Sequence, residues 1–395
     1  MKYIKIFPEL LETENYDSCI VHFYSGDTLV AEKRLSKETI LANSEKPSIP
    51  INVKGRITNY RYTLSQNDTV REYDFIFKAV TQEVTETKLF RKNENILYAN
   101  TSEDKALINE LLTTMVNASL ALDDTPVGSK NLIYFTIGGD TKYIRLLELA
   151  ISSLLTNNPE LNADILVLTT NSFLPALQES NIFSHSVSVN YYVLDTPSQQ
   201  DGVAISMNKL RIFDYPLIDD YSKILFLDCD IMCIGDIDSI FSSVADASKF
   251  NSVCNPAVNA DSFNSVYHGL GVLKPGKLEE LSAAGQLPFN AGQFMITNTA
   301  QMRSHFDNIL WLVSNWPEFY FFEQSFMNHY FCGFLLADNT YLNGYFSLIT
   351  VNLSAPLTKA HSDTNVFLHF IAPPLDPEAK LKFLTDYSYA NQLQF

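Results

Sequence analysis

The sequence predicts an α/β chain in which a largely parallel sheet with helices on both faces follows a smaller β-rich domain. Three observations carry this. From residue 131 onward, short apolar runs alternate with helical patterns, the signature of a βαβ succession. One run, Ile224 to Leu227, is continuously apolar, as a strand buried on both faces must be, and it ends in Asp228-Cys-Asp230. Before residue 122 the pattern changes to clusters of β-forming residues separated by turn residues.

The elements follow in order. Cys19-Ile-Val-His-Phe-Tyr, Thr28-Leu-Val-Ala, Ile57-Thr-Asn-Tyr-Arg-Tyr-Thr-Leu and Tyr73-Asp-Phe-Ile-Phe-Lys-Ala-Val are the strand candidates of the first domain. Residues 103–120 set Leu107, Ile108, Leu111, Leu112, Met115, Val116 and Leu120 on one stripe, which predicts a helix packing on a neighbouring domain. Residues 122–130 carry the Pro, Gly and charge of a linker, so the boundaries are 1–125 for an accessory domain and 126–395 for a second one. The first matches no recognisable pattern and reads as a structural or partner-binding module. In the second, a strand from 131 is followed by helix 143–156, strand 164–169, helix 172–180, strand 187–194, helix 206–215 and the strand that ends at Asp228. That succession demands right-handed crossovers and hence parallel strands.

Composition narrows the function. At 395 residues with 46% hydrophobic content, 27 Phe and 20 Tyr, the chain can build two or three cores. Its net charge of −17, with 28 basic residues against 45 acidic, argues against a nucleic-acid-binding surface. The opening residues do not read as a signal peptide, because Lys5, Pro8 and Glu9 interrupt any apolar segment. No run approaches the roughly 18 to 20 apolar residues of a membrane span. Cys19, Cys229, Cys233, Cys254 and Cys332 form no zinc pattern and read as reduced thiols, which predicts a cytoplasmic protein. Cys229 and Cys233 read as small buried apolar residues.

Asp228 and Asp230 stand where an α/β sheet presents ligands, at the end of a buried strand. Two carboxylates one residue apart repel each other, and a hard divalent cation relieves this, its remaining positions filled by water and phosphate oxygens. Such a cation would supply the positive charge that a nucleotide diphosphate needs on this acidic chain. The loop Gly138-Gly139-Asp140 suits close backbone approach to a ligand. Asp236 and Asp238 precede Ser239-Ile-Phe and read as helix caps.

The order of motifs resembles glycosyltransferase family 8, the glycogenin-like and lipopolysaccharide galactosyltransferase-like enzymes. Met207-Asn-Lys-Leu, the strand ending in Asp228-Cys-Asp230, Gly235-Asp-Ile-Asp-Ser-Ile-Phe, Phe289-Asn-Ala-Gly, Glu323-Gln-Ser-Phe-Met-Asn and Leu368-His-Phe occur in the family's order. Asn131-Leu-Ile-Tyr-Phe-Thr and the Tyr143 to Leu154 helix match its first strand and helix, so the resemblance spans roughly residues 130–375. It implies the GT-A fold. It also implies metal ligation by Asp228, Asp230 and His369; a softer imidazole donor favours Mn²⁺ over Mg²⁺. Nucleotide contacts from Tyr143, Asp140, Lys209 and Asp228 are implied too, with Asn290, Ala291 and Gly292 lining the sugar pocket and Glu323 and Gln324 facing the anomeric carbon.

The activity implied is a retaining, metal-dependent transfer of glucose or galactose from UDP-glucose or UDP-galactose to a glycan or protein acceptor, by a homodimer. Double displacement and front-face departure both remain open routes. Two alternatives come from other classes: a catalytically weak sugar-nucleotide-binding scaffold, and a sugar-1-phosphate nucleotidyltransferase. Two departures stand out. Glu323 replaces the family's Asp, and the Gly-x-x-Lys-Pro-Trp that usually follows the His is absent, leaving Lys380 or Lys382 to substitute if the chain folds back. Residues 250–288, with Asn255, Asp261, Asn264 and His268, are the expected donor or acceptor loop.

Overall fold

The computed structural model describes residues 2–5, 18–25, 28–35, 48–51, 59–66, 69–76, 90–92, 95–97, 102–184, 189–194, 206–242, 246–254, 263, 276–315, 322–351, 357, 359–371 and 377–393. The chain forms two compact units, Met1–Leu111 with Asn315–Tyr320, and Leu112–Ser314 with Phe321–Phe395. In the first, β2 (Ser18–Ser25), β3 (Thr28–Leu35), β5 (Asn59–Gln66) and β6 (Thr69–Ile76) form an antiparallel sheet in the order β3-β2-β5-β6. Along β2, Cys19, Val21 and Phe23 are buried and alternate with half-buried residues, the period-two pattern of a strand with one covered face. β1 (Lys2–Lys5) pairs with β4 (Ser48–Ile51), and β7 (Phe90–Lys92) with β8 (Asn95–Leu97), all antiparallel. Positions 57–58 and 77–80 of the expected strands lie outside the described residues.

Helix α1 (Ser102–Leu120) occupies the predicted interval. Leu112 and Val116 of its stripe are buried, whereas Leu120 is exposed. The stripe runs out there because Ser119, not Leu120, is the buried residue of the last turn: its hydroxyl lies 2.8 Å from that of Ser304. The expected linker is tied down by backbone bonds from Val127 to Asn298 and from Ser129 to Asp220.

The second unit is built on a seven-stranded sheet in the order β11-β10-β9-β12-β15-β14-β16. Its strands are β9 (Lys130–Thr136), β10 (Asp164–Thr170), β11 (Val189–Leu194), β12 (Tyr221–Leu227), β14 (Phe250–Cys254), β15 (Phe289–Thr297) and β16 (Ala337–Asp338). Every pairing is parallel except those of β15, which runs antiparallel to β12 and to β14. The connections carry α2 (Tyr143–Asn157) and α3 (Leu174–Gln178), the latter shorter than expected and opening at Pro175. Residues 187–188 of the expected third strand lie outside the described residues. Where a helix was expected at 206–215 the chain forms a 3₁₀ segment, Met207–Asp214, kinked at Arg211. Asn208, Lys209, Leu210 and Ile212 are all buried there, and the tighter winding turns neighbouring residues inward together.

A second, three-stranded sheet joins β13 (Ile231–Cys233) antiparallel to β18 (Phe367–Ile371), and β18 parallel to β17 (Phe346–Thr350). The remaining helices are α4 (Asp238–Ser242), α5 (Lys277–Ala283), α6 (Ala300–Asn315), α7 (Phe322–Met327) running into a π turn at Asn328–Cys332, and α8 (Pro377–Ala390). Ile224, Leu225 and Phe226 are fully buried because β12 is central and covered on both faces. One cover is an aromatic cluster in which Phe250 and Phe331 stack at 4.2 Å, and Tyr134 and Phe226 approach to 4.9 Å. The other is the aliphatic face of α2.

Candidate active site

β12 and the reversed β15 meet so that the end of one lies beside the start of the other. Leu227 pairs with Gln293, and the Asp228 N–H donates to the Gly292 carbonyl at 2.8 Å. The chain then turns into β13, whose antiparallel register with β18 sets Ile231 opposite His369 and lets the Phe370 N–H donate to the Asp230 carbonyl at 3.1 Å. Three segments distant in sequence therefore bring one donor atom each from Asp228, Asp230 and His369 within 4.8 Å of one another.

This set fits a divalent cation. His369 Nε2 lies 3.1 Å from Asp230 Oδ1, and two donors at about 2.1 Å from one ion and at right angles are about 3 Å apart. Buried Asp230 Oδ1 has no hydrogen-bond partner of good geometry, which an acceptor tolerates when a cation can take it. Gly292 is required at its position, since a Cβ there would lie 2.3 Å from His369 Cε1 and 2.7 Å from Asp228 Oδ2.

Two lysines complete the electrostatics. Lys209, from the 3₁₀ segment, is buried, with Nζ 3.1 Å from Glu323 Oε1, 3.1 Å from the Ala291 carbonyl, 3.4 Å from Asp228 Oδ1 and 4.7 Å from the Phe226 ring centre. Burial alone would lower its pKa; Asp228 and Glu323 outweigh that and raise it. Lys380 reaches in from α8, its Nζ 2.5 Å from Asp230 Oδ2. Burial would raise Asp230, but His369 and Lys380 hold it well below the usual carboxylate range. Asp228 moves the other way, raised by burial first, against the pull of Lys209, and further by its neighbour Asp230.

These groups border a cavity of about 420 Å³. Of the residues expected to act, Asp140, Tyr143, Lys209, Asp228, Asp230 and Glu323 line it. Gly139 adopts φ 74°, and the Asp140 carboxylate accepts from the Lys142 N–H at 3.0 Å, so that loop also starts α2. Asn290, Ala291, Gly292, Gln324 and His369 are not among its lining residues. Asn290 Oδ1 accepts from the Gly292 N–H at 2.8 Å, and Gln324 Oε1 from the Ala291 N–H at 3.1 Å. Asp236 receives the Asp238 N–H at 2.9 Å and so starts α4. Burial pushes the Cys229 thiol well above its usual range and Cys233 to about 11, which suits packing rather than redox chemistry. Of the two lysine substitutes, Lys380 enters the cavity, whereas Lys382 pairs with Asp386 on the solvent side of α8. Ser206 is a lining residue that sequence reasoning did not single out, although the Met207-Asn-Lys-Leu motif that begins at the next residue was the signal that could have found it. Asn255, Asp261, Asn264 and His268 lie outside the described residues.

A mostly parallel sheet ends in three side chains that could hold a cation, with two lysines beside a cavity. A sequence model described as glycosyl transferase family 8 matches residues 135–374. The chain belongs to that family and is a glycosyltransferase of GT-A fold. Similar solved structures include galactosyltransferase LgtC in complex with donor and acceptor sugar analogs, at 17% identity and TM-score 0.43 over 67% of this chain and 96% of that one. The bifunctional glycosyltransferase WbbM is similar at 13% identity and TM-score 0.43, covering 67% and 51%. The apo glycosyltransferase GlyE of Streptococcus pneumoniae is similar at 16% identity and TM-score 0.39, covering 68% and 65%. No curated protein matches the chain. Among the described residues, no helix is long and apolar enough to cross a membrane.

Proposed function

We propose that the protein is a retaining, metal-dependent hexosyltransferase that moves glucose or galactose from a UDP-sugar to a glycan or protein acceptor. The observation that carries this is the convergence of Asp228, Asp230 and His369 beside a cavity that Asp228, Asp230, Tyr143, Lys209 and Glu323 line. Residues 126–395 act as the catalytic domain and 1–125 as an accessory one. A cytoplasmic setting is supported by five unpaired cysteines.

Asp228, Asp230 and His369 hold the cation, with the imidazole favouring Mn²⁺. When bound, the ion acts as a Lewis acid that neutralises charge growing on the departing diphosphate. Tyr143, half-buried at the start of α2, stacks on the uracil ring, and Asp140 lies by the base. Lys209 bridges Asp228 to Glu323, so the phosphate side and the sugar side share one ammonium group. Asn290 hydrogen-bonds sugar hydroxyls, while Ala291 and Gly292 leave room for the ring. Glu323 and Gln324 face the anomeric carbon. Because Glu323 already spends an oxygen on Lys209, it acts as an oriented carboxylate rather than a mobile one.

The test is UDP release from UDP-glucose and from UDP-galactose, with Mn²⁺ or with EDTA. Release with one donor that needs Mn²⁺ and falls at least about a hundredfold in Asp230→Ala is expected. Undiminished release in EDTA would refute the metal dependence.

A further inference from the structure

We propose that Tyr134, which does not line the cavity, is a positioning residue for glycosyl transfer: its hydroxyl holds the backbone of Lys209, so that the ammonium group stands in place before the donor arrives. This rests on the nucleotide-sugar reading above. Tyr134 is fully buried on β9, and its hydroxyl donates to the Lys209 carbonyl at 2.9 Å. In the register of the sheet it lies opposite Phe226 of β12, which in turn lies opposite Phe294 of β15. The three rings form a row across the central strands, with successive centres 4.9 Å and 5.0 Å apart. Lys209 Nζ sits 4.7 Å from the centre of the middle ring.

Lys209 is thus fixed at both ends. At its tip, Glu323 of α7, the Ala291 carbonyl of β15 and Asp228 after β12 hold Nζ. At its backbone, Tyr134 ties it to the central strand β9. The segment depends on that tie: Met207–Asp214 is 3₁₀-wound and kinked at Arg211, two residues past the bonded carbonyl. A 3₁₀ turn has poorer hydrogen-bond geometry than an α-helix and a kink interrupts its ladder, so a side-chain donor reaching from the sheet sets where the segment lies. Burial pushes the Tyr134 phenol well above its usual range, and Asp228 adds to this, so the hydroxyl stays protonated and remains a donor. A lysine held at both ends keeps few rotamers, so the diphosphate and the sugar meet an ammonium group already in place. Phenylalanine at position 134 would preserve the row of rings and remove only the bond to Lys209.

The test measures UDP release from the UDP-sugar, and UDP affinity by calorimetry in MnCl₂, for the full chain carrying Tyr134→Phe, Lys209→Met, both, or Tyr221→Phe. Tyr221 opens β12 at the end away from Asp228, and its hydroxyl donates to Asp164 Oδ2 at 2.8 Å, so Tyr221→Phe removes a comparable bond outside the cavity. Both Tyr→Phe variants should lower the melting temperature by a similar amount. Only Tyr134→Phe should lower kcat/KM, by about tenfold, and weaken UDP binding by about fivefold. In the Lys209→Met background, adding Tyr134→Phe should change either quantity by less than about twofold, because the hydroxyl then has no ammonium group left to position. UDP affinity carries that comparison where release is too slow to follow. Lys209→Gln gives the same reading should Lys209→Met not fold, and the comparison with Tyr221→Phe needs neither. An unchanged kcat/KM in Tyr134→Phe, an equal loss in Tyr221→Phe, or the full loss repeated without the Lys209 side chain would overturn the inference while leaving the nucleotide-sugar reading intact. An unaltered protein that neither binds nor releases UDP would overturn both.

Discussion

At the scale of single residues, the site depends on one missing atom as much as on its charged groups. Gly292 → Ala would drive a Cβ against the His369 ring, the Asp228 carboxylate and Asn290 Oδ1 at once, and β15 is paired on both sides and cannot retreat. We expect this substitution to weaken Mn²⁺ binding at least about a hundredfold in a titration while costing about 1–3 kcal/mol of stability, as overpacking does. Wild-type Mn²⁺ affinity would mean that His369 is not a ligand. Lys209 is the complementary case. Lys209→Met would leave the Glu323 and Asp228 carboxylates without their shared counter-charge, and we expect a loss of about 3–5 kcal/mol in denaturant titration. The chemical identity of these residues was legible in the order of motifs, but the Lys209–Glu323 contact was not, since nothing in a linear text relates the two positions.

At the scale of elements, short connections aim the ligands. Asn158, at the end of α2, donates to the Leu154 carbonyl at 2.9 Å and to the Gly235 carbonyl at 3.2 Å, and accepts from the Ile237 N–H at 2.9 Å. Ser153 receives the Cys233 N–H at 3.0 Å. The helix after β9 thus holds the segment that leaves Asp230. Asn158→Ala strands these buried backbone groups, and a loss of about 2–4 kcal/mol is expected, read as a lower melting temperature with UDP release still measurable in the cold. A melting temperature equal to that of the unaltered protein would show that water replaces the amide. The strands of this region were readable because β12 and β10 are covered on both faces and therefore written as apolar runs. The 3₁₀ winding of 207–214 was not, because a single amphipathic turn has nearly the same pattern at three and at 3.6 residues per turn.

At the scale of the whole molecule, the second unit buries two histidines without a charge partner. Burial holds His305 down to about 4 and His329 to about 3, against about 6.5 in an unfolded chain. Below pH 6.5 only the unfolded state takes up these protons, so stability must fall with pH through that window until the folded values are reached. Each histidine should remove about 2 kcal/mol between pH 7 and pH 5. Denaturant unfolding at the two pH values, compared with His329→Phe, checks this; an equal acid loss in the variant would contradict it.

Sequence alone determined the class of the fold and the family, and it picked out the three side chains that the fold brings together, because each is encoded in local patterns: buried strands as apolar runs, candidate ligands as short motifs at strand ends. Tertiary structure alone decided which strand reverses, which of Lys380 and Lys382 enters the cavity, and which site residues line it. Those outcomes depend on pairing register and helix packing between segments far apart in the chain. The reversal of β15 is the clearest instance. Its residues are apolar enough for either direction, and only its place between β12 and β14 brings Gly292 against Asp228.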